Sequence, residues 1–431
     1  MSLPAIPKWT IFFYFFLTFL GNELSKQTGL FSIRILAFLP AIFYIVVRLR
    51  ALLRKDVLVP KNFGLFVLVA SYLLLHVRAA SLIGETKTFV VYSFLTLFIH
   101  TTFWCLVSIN VRNRPDLDKV LKYLFGGFMF CFVIVVLFPM NYIGTFEIGG
   151  HYNLGDINTP VYVPFINSTL EPPLLTSIAC MIAFVVLGYK FRLKRFRVNS
   201  NVNRANAAWY FVILVLGLME LVLINRRGPM VITFLLFAMT YFSGLSYRTK
   251  LIYLIPLLSL VPVLWEPIVE LILPLFQSDL AGSLVARTDE DNVRSATGRI
   301  LQWGIAIRYI MHPSVSAEYL LGIGNLDEYL TLGAYGHAHN SFFQLFIQVG
   351  LVGAVLNTIL IIVCLHHCKM VNRKNFLSFR VLILTGLFML VLLLSTTESM
   401  FMGTYFSHLL FITLAILLIR SGRLSNELKG N

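Results

Sequence analysis

Charge is scarce in this chain: only 13% of its 431 residues are Asp, Glu, Lys or Arg, while 58% are hydrophobic. That balance excludes both a soluble globule and a disordered tail. Cysteine is sparse as well. Cys105, Cys131, Cys180, Cys364 and Cys368 all fall in apolar segments or at their edges, so no disulfide framework is expected. The run Cys364-Leu365-His366-His367-Cys368 has the ligand types of a metal site. It crowds one helix end with no second ligand cluster elsewhere, and no metal is expected there. The sequence also lacks low-complexity segments and a six-plus-six internal repeat, which leaves an inverted-repeat transporter without direct support.

What the chain has in abundance is long apolar runs. They predict an all-α polytopic integral membrane protein, a single membrane domain over 1–431 with about twelve spans: 9–24, 31–47, 62–77, 89–109, 120–139, 172–189, 207–224, 229–244, 251–272, 340–365, 379–396 and 401–419. The first run lacks a small-residue cleavage site and continues into Gly21-Asn22-Glu23, so it reads as a retained helix. The net charge of +15 suggests a nucleic-acid partner at first sight. Topology explains it better, and no nucleic acid is expected. With both termini cytoplasmic, all of the 35 basic residues but ten fall inside, the asymmetry that the positive-inside rule demands. The prediction is that 190–206 and 366–378 are cytoplasmic and 275–338 periplasmic. An impermeant thiol reagent applied from outside should label cysteines introduced into 275–338 and spare those in 190–206; the reverse pattern overturns the topology.

The ten exceptions are Lys26, Arg34, Arg78, Lys87, Arg226, Arg227, Arg287, Arg294, Arg299 and Arg308. Positive charge on the outer side needs a reason of its own. Two outer segments are long: a first periplasmic loop at 140–171, rich in Gly, Asn, Thr and Pro, and a large one at 273–339 predicted to contain short helices.

The rest of the chain is organised around 297–353. Here Thr297-Gly298-Arg299 and Trp303 lead through His312-Pro313 and Gly322-Ile323-Gly324 into His337-Ala338-His339-Asn340-Ser341 and a long apolar helix. Ile300, Trp303, Ile307 and Met311 recur at helical spacing, while Arg299, Gln302 and Ala306 share another face. That pattern predicts a short amphipathic helix stopped by Pro313. Asn340 and Ser341 are good N-cap residues. Backbone N–H groups beside His339 would then face out of the membrane as an anion seat with an imidazole at its rim.

This order of residues resembles the O-antigen ligase and O-antigen/exopolysaccharide polymerase family of bacterial membrane glycosyltransferases. The family pattern runs Gly-Arg…Trp, His-Pro…Gly-x-Gly, then His-Asn-Ser ahead of a helix ending Gly-Leu-x-Gly, here Gly350-Leu351-Val352-Gly353. The resemblance implies a GT-C-like fold in the bacterial inner membrane with a periplasmic site. It also implies a polyprenyl-pyrophosphate-linked oligosaccharide donor, a glycan acceptor, and no cofactor. Membrane lipids and a chain-length regulator or flippase are the expected partners.

Arg226-Arg227-Gly228 joins two apolar runs in a tight hairpin with Pro229 opening the second helix. Arg227-Gly228 matches the end of the family's Ser-Arg-Gly, whereas Asn225-Arg226 departs from its serine. Arg227 is expected to be catalytic and Arg226 substrate-binding; arginines snorkelling to headgroups are the alternative. Arg299 presents a planar, permanently charged fork suited to a pyrophosphate, or it is a solvated arginine on an interfacial helix. Arg287 is placed behind it among the substrate-binding residues. His339 directly precedes Asn340-Ser341 and is the expected general base. His337 competes for that role, and both His337 and Asn340 are counted with the substrate-binding residues. Glu171-Pro172-Pro173 is similar to a Glu-Pro of the family's polymerases, and Glu171 either orients substrate or stabilises a helix start. Glu220 lies seven residues before Arg227 and reads as its structural partner; His408 is a further polar group within the last span.

No acidic pair marks a metal-bound nucleotide sugar, and nucleotide sugars are made on the opposite side of the membrane. A lipid-linked donor fits instead. The expectation is a metal-independent polymerase, with two alternatives: a ligase passing the finished glycan to lipid A-core, or a non-enzymatic flippase, whose polar groups would line a cavity open to both faces.

Overall fold

The structure, a computed structural model, describes residues 6–14, 39–47, 68–71, 73–75, 77–78, 99–137, 139–142, 161–164, 171–196, 204–223, 229, 232–233, 303–304, 306–308, 310–311, 316–323, 340–373, 379–396 and 405–427. Its named helices are α1 (Arg114–Leu137), α2 (Glu171–Phe196), α3 (Arg204–Leu223), α4 (Ala317–Leu321), α5 (Ser341–Arg373), α6 (Phe379–Leu394) and α7 (Tyr405–Glu427). Residues 6–14, 39–47 and 99–110 are also helical. The expected spans 120–139, 172–189, 207–224, 340–365, 379–396 and 401–419 fall on α1, α2, α3, α5, α6 and α7. Span 251–272, and 229–244 apart from Pro229, Ile232 and Thr233, lie outside the described residues.

Among the described residues, Ser341–Cys368 is long and apolar enough to cross a membrane, and Leu174–Gly188, Ala207–Leu221 and Arg380–Leu394 are shorter apolar helices. The described residues are almost wholly helical, and the protein is of membrane type. One departure from an all-α fold lies in the segment expected to be the first outer loop. Strands β1 (Pro139–Tyr142) and β2 (Val161–Pro164) pair antiparallel, with Pro139 opposite Pro164 and Tyr142 opposite Val161. Prolines are tolerated because they close the end of a two-stranded ladder, where their missing N–H costs no interior bond.

The chain divides into two compact units, one of Met1–Cys131 with Gln302–Asn431, the other of Phe132–Leu301. In the second, α2 packs along α3, with Gly217 against Cys180 and Thr176. Glu171 is the first residue of α2, as its Glu-Pro-Pro run predicts. Pro229 is helical and the Thr233 hydroxyl donates to its carbonyl at 2.6 Å, one turn on.

In the first unit, α7 packs against both α5 and α6 over a core that includes Phe388 stacked on Phe411. Polar contacts gather at the two ends of α6. At its Phe379 end Arg380 forms an ion pair with Asp118 of α1, and Arg420 of α7 donates to the Val111 carbonyl, just before α1, at 2.6 Å. At its Leu394 end the turn Ser395-Thr396 receives the start of α5. Segments that the charge pattern assigns to one side of a membrane therefore meet one another.

Candidate functional site

The motif stretch folds back onto the start of α5. Residues 303–304, 306–308 and 310–311 are helical as the spacing predicts, but the buried face is not the one with the largest side chains. Ala306 is fully buried against Ile347, with Ile323 and Phe343 alongside, whereas Ile307 is 42% and Met311 72% exposed. A small residue lets one helix approach another closely, and apolar side chains turned outward suit lipid. Trp303 meets Phe343 edge-on at 6.2 Å. The Tyr319 ring lies 5.4 Å from that of Phe346, and its hydroxyl donates to the Ile310 carbonyl at 2.9 Å.

Ser316 caps α4, its hydroxyl accepting from Tyr319 N–H at 3.1 Å. The helix stops at Gly322, whose φ of 80° is left-handed and whose N–H closes on the Glu318 carbonyl at 2.7 Å. α5 is interrupted by a second left-handed glycine, Gly350, at φ 69° and ψ −172°. The two positions face each other. A Cβ on Gly322 would strike the Gln348 backbone, and one on Gly350 the backbone of Leu320 and Gly322. Between them Ile323 N–H donates to the Ile347 carbonyl at 3.0 Å, a group released from helical bonding by the break at Gly350. Glycine is needed at both places for space and for backbone sign. Two motif fragments, Gly322-Ile323-Gly324 and Gly350-Leu351-Val352-Gly353, thus build a backbone-to-backbone dock.

Arg78 completes it. Its Nη1 donates to the carbonyls of Leu321 and Gly322, the latter at 3.1 Å. These C-terminal carbonyls lack intrahelical donors, so the guanidinium supplies what a five-residue helix cannot. Sequence reasoning had only its presence among the outer cations as a signal.

Asn340 is the N-cap of α5. Its Oδ1 accepts from Phe342 and Phe343 N–H at 3.0 and 3.3 Å, and its Nδ2 donates to Thr396 O at 3.1 Å. Ser341 N–H donates to Ser395 O at 2.7 Å, and Gln344 N–H to Asn340 O at 3.0 Å. The expected anion seat is therefore corrected: the first amides of α5 are taken by the cap, by the neighbouring turn and by the helix's own first bond. What the arrangement supplies instead is a rigidly held backbone immediately after His339.

His339, His337, Arg299, Arg287, Arg227 and Arg226 lie outside the described residues. Glu220 is on α3, half-buried, and its expected partner Arg227 is likewise not described. His408 is buried and meets His100 edge-on, ring centroids 5.3 Å apart. Among the described residues no cluster of three metal-ligating side chains occurs.

Fold and motif platform define a helical protein of membrane type in which described residues of 303–323 are anchored onto α5. Residues 212–358 match the family model for O-antigen ligase, the family that the motifs resemble. The matched stretch takes in most of α3, the Arg226-Arg227-Gly228 run, the dock and the first half of α5. It supports glycan transfer of the O-antigen ligase and polymerase type in general. No match is found among curated proteins.

Proposed function

We propose that the protein polymerises polyprenyl-pyrophosphate-linked oligosaccharide repeats into O-antigen, capsular or exopolysaccharide at the periplasmic face of the bacterial inner membrane, without a metal. The observation that carries the reading is the dock: within the O-antigen ligase match, Trp303, Gly322, Asn340 and Gly350 are brought onto one helix start, next to the histidine of the His-Asn-Ser motif. An acceptor hydroxyl attacks the anomeric carbon of the donor and the bond to the pyrophosphate oxygen breaks. His339 takes the hydroxyl proton, while Arg227 and Arg299 stabilise the charge growing on the leaving pyrophosphate. Arg226, Arg287, His337 and Glu171 bind or orient the substrates, and Asn340 fixes the backbone from which His339 projects. Membrane lipids surround the helices, and a chain-length regulator or flippase is the expected protein partner.

The description of the matching family favours a second reading, a ligase that transfers the finished glycan to lipid A-core. Glu171 at the first position of α2 favours the polymerase. Purified protein supplied with a synthetic lipid-linked repeat alone separates them. Chain growth with release of polyprenyl pyrophosphate is expected; release only when lipid A-core is added identifies the ligase, and no release in either case overturns glycan transfer.

A further inference from the structure

We infer that Arg78 is a positioning residue for the reaction, acting through the Gly322–Gly350 dock without touching substrate; this rests on the glycan-transfer reading. Four observations converge on it. Arg78 holds the carbonyls of Leu321 and Gly322. The next residue, Ile323, bonds to Ile347 across the break in α5. The Gly322 and Gly350 backbones are too close to admit a Cβ on either. Finally, Ile323 packs on the Ala306–Ile347 pair, which ties the helix of the Gly-Arg…Trp motif to the same spot.

The chain leaves this dock at Ile323 and returns at Asn340, so both ends of the segment that carries His337 and His339 are fixed on α5. One end is fixed by the Asn340 cap and the Ser395-Thr396 turn. The other is held by the Ile323–Ile347 backbone bond, by the packing of Ile323 on Ala306 and Ile347, and by the Arg78 guanidinium. A cation that bonds two helix-end carbonyls is a strong contributor at such a joint, because hydrogen bonds to charged donors exceed neutral ones. It also accounts for a positive charge on the side where the charge rule disfavours one. Loss of Arg78 loosens the anchor of the loop and lets the reacting groups drift. Small misplacements of this kind cost turnover more than binding.

The test has two arms on the full-length protein in membranes. In the first, Ile323→Cys and Ile347→Cys are introduced together and the 323–347 disulfide peptide is quantified by mass spectrometry after mild oxidation. With Arg78 present the cross-link should form readily; in Arg78→Ala its rate should fall about fivefold or more, and Arg78→Lys, which keeps a cation with several donors, should lie between. An unchanged rate in Arg78→Ala overturns the inference. The second arm measures transfer from a synthetic lipid-linked repeat per folded molecule. Arg78→Ala is expected to lower kcat about tenfold with donor KM within twofold, and the 323–347 disulfide should restore most of the loss. A raised KM with kcat preserved would place Arg78 on the donor, and failure of the disulfide to restore kcat would remove the dock from its action. Should wild-type protein transfer nothing, the function reading fails, while the cross-linking rate still decides whether Arg78 holds the joint.

Discussion

Replacing His339 by alanine is expected to lower glycan transfer by about a hundredfold or more, the range in which general acid–base catalysis contributes, while membrane insertion and thermal stability stay unchanged. The stability half of this expectation comes from the structure. α5 begins at Ser341, and its start is secured by the Asn340 side chain, by Ser395 and by Thr396. None of these bonds uses the residue before Asn340, so loss of the imidazole leaves the cap in place. His337→Ala should be milder, since the two residues between it and the cap allow its side chain a looser placement. Turnover is measured on purified protein with a lipid-linked repeat, alongside an unfolding curve for each variant. Near-wild-type turnover in His339→Ala moves the proton acceptor to His337 or away from histidine. A fall in turnover matched by a fall in stability gives His339 a structural role instead.

How much of this was legible in the sequence depends on whether the governing interactions are local. The Asn340 cap was readable because it acts on amides two and three residues away, and the helix start at Glu171 because proline favours first-turn positions. The first amide of α5 was misread as free because its partner, the Ser395 carbonyl, lies more than fifty residues on, as does Thr396, which receives the Asn340 side chain. Which face of the helix at 303–311 is buried was not legible for a different reason. In water an apolar ridge at helical spacing marks the buried side, but in lipid both the protein interior and the surroundings accept it, and small residues mark the interface. Ala306 therefore marks the buried face, and Ile307 and Met311 do not. The glycine pair is the sharpest case. Gly322 and Gly350 each signal a special backbone, yet nothing in a period of two or 3.6 residues says that they face each other, or that Arg78 arrives to bind the Leu321 and Gly322 carbonyls.

The arginines give the second large effect. Arg227→Lys and Arg299→Lys are each expected to lose about a hundredfold or more in turnover although the charge is retained, which sets them apart from Arg78. At the dock one Nη1 serves two carbonyls, a task that an ammonium performs in part. A pyrophosphate presents oxygens in the planar spacing that a guanidinium fork matches and a point charge does not. Stabilising the charge that develops on a leaving group is among the larger catalytic terms, so the loss should appear in kcat with donor KM changing less. On the proposed mechanism, in which these two side chains take the place of a divalent cation, chelation by EDTA should leave the wild type active. Wild type, each lysine variant, and wild type with chelator are compared on one lipid-linked donor. Full turnover in both lysine variants removes the arginines from the leaving-group step. Wild-type activity that vanishes with chelator and returns with added metal assigns that step to a cation, and the outer arginines would then be left to anchor headgroups at the membrane surface.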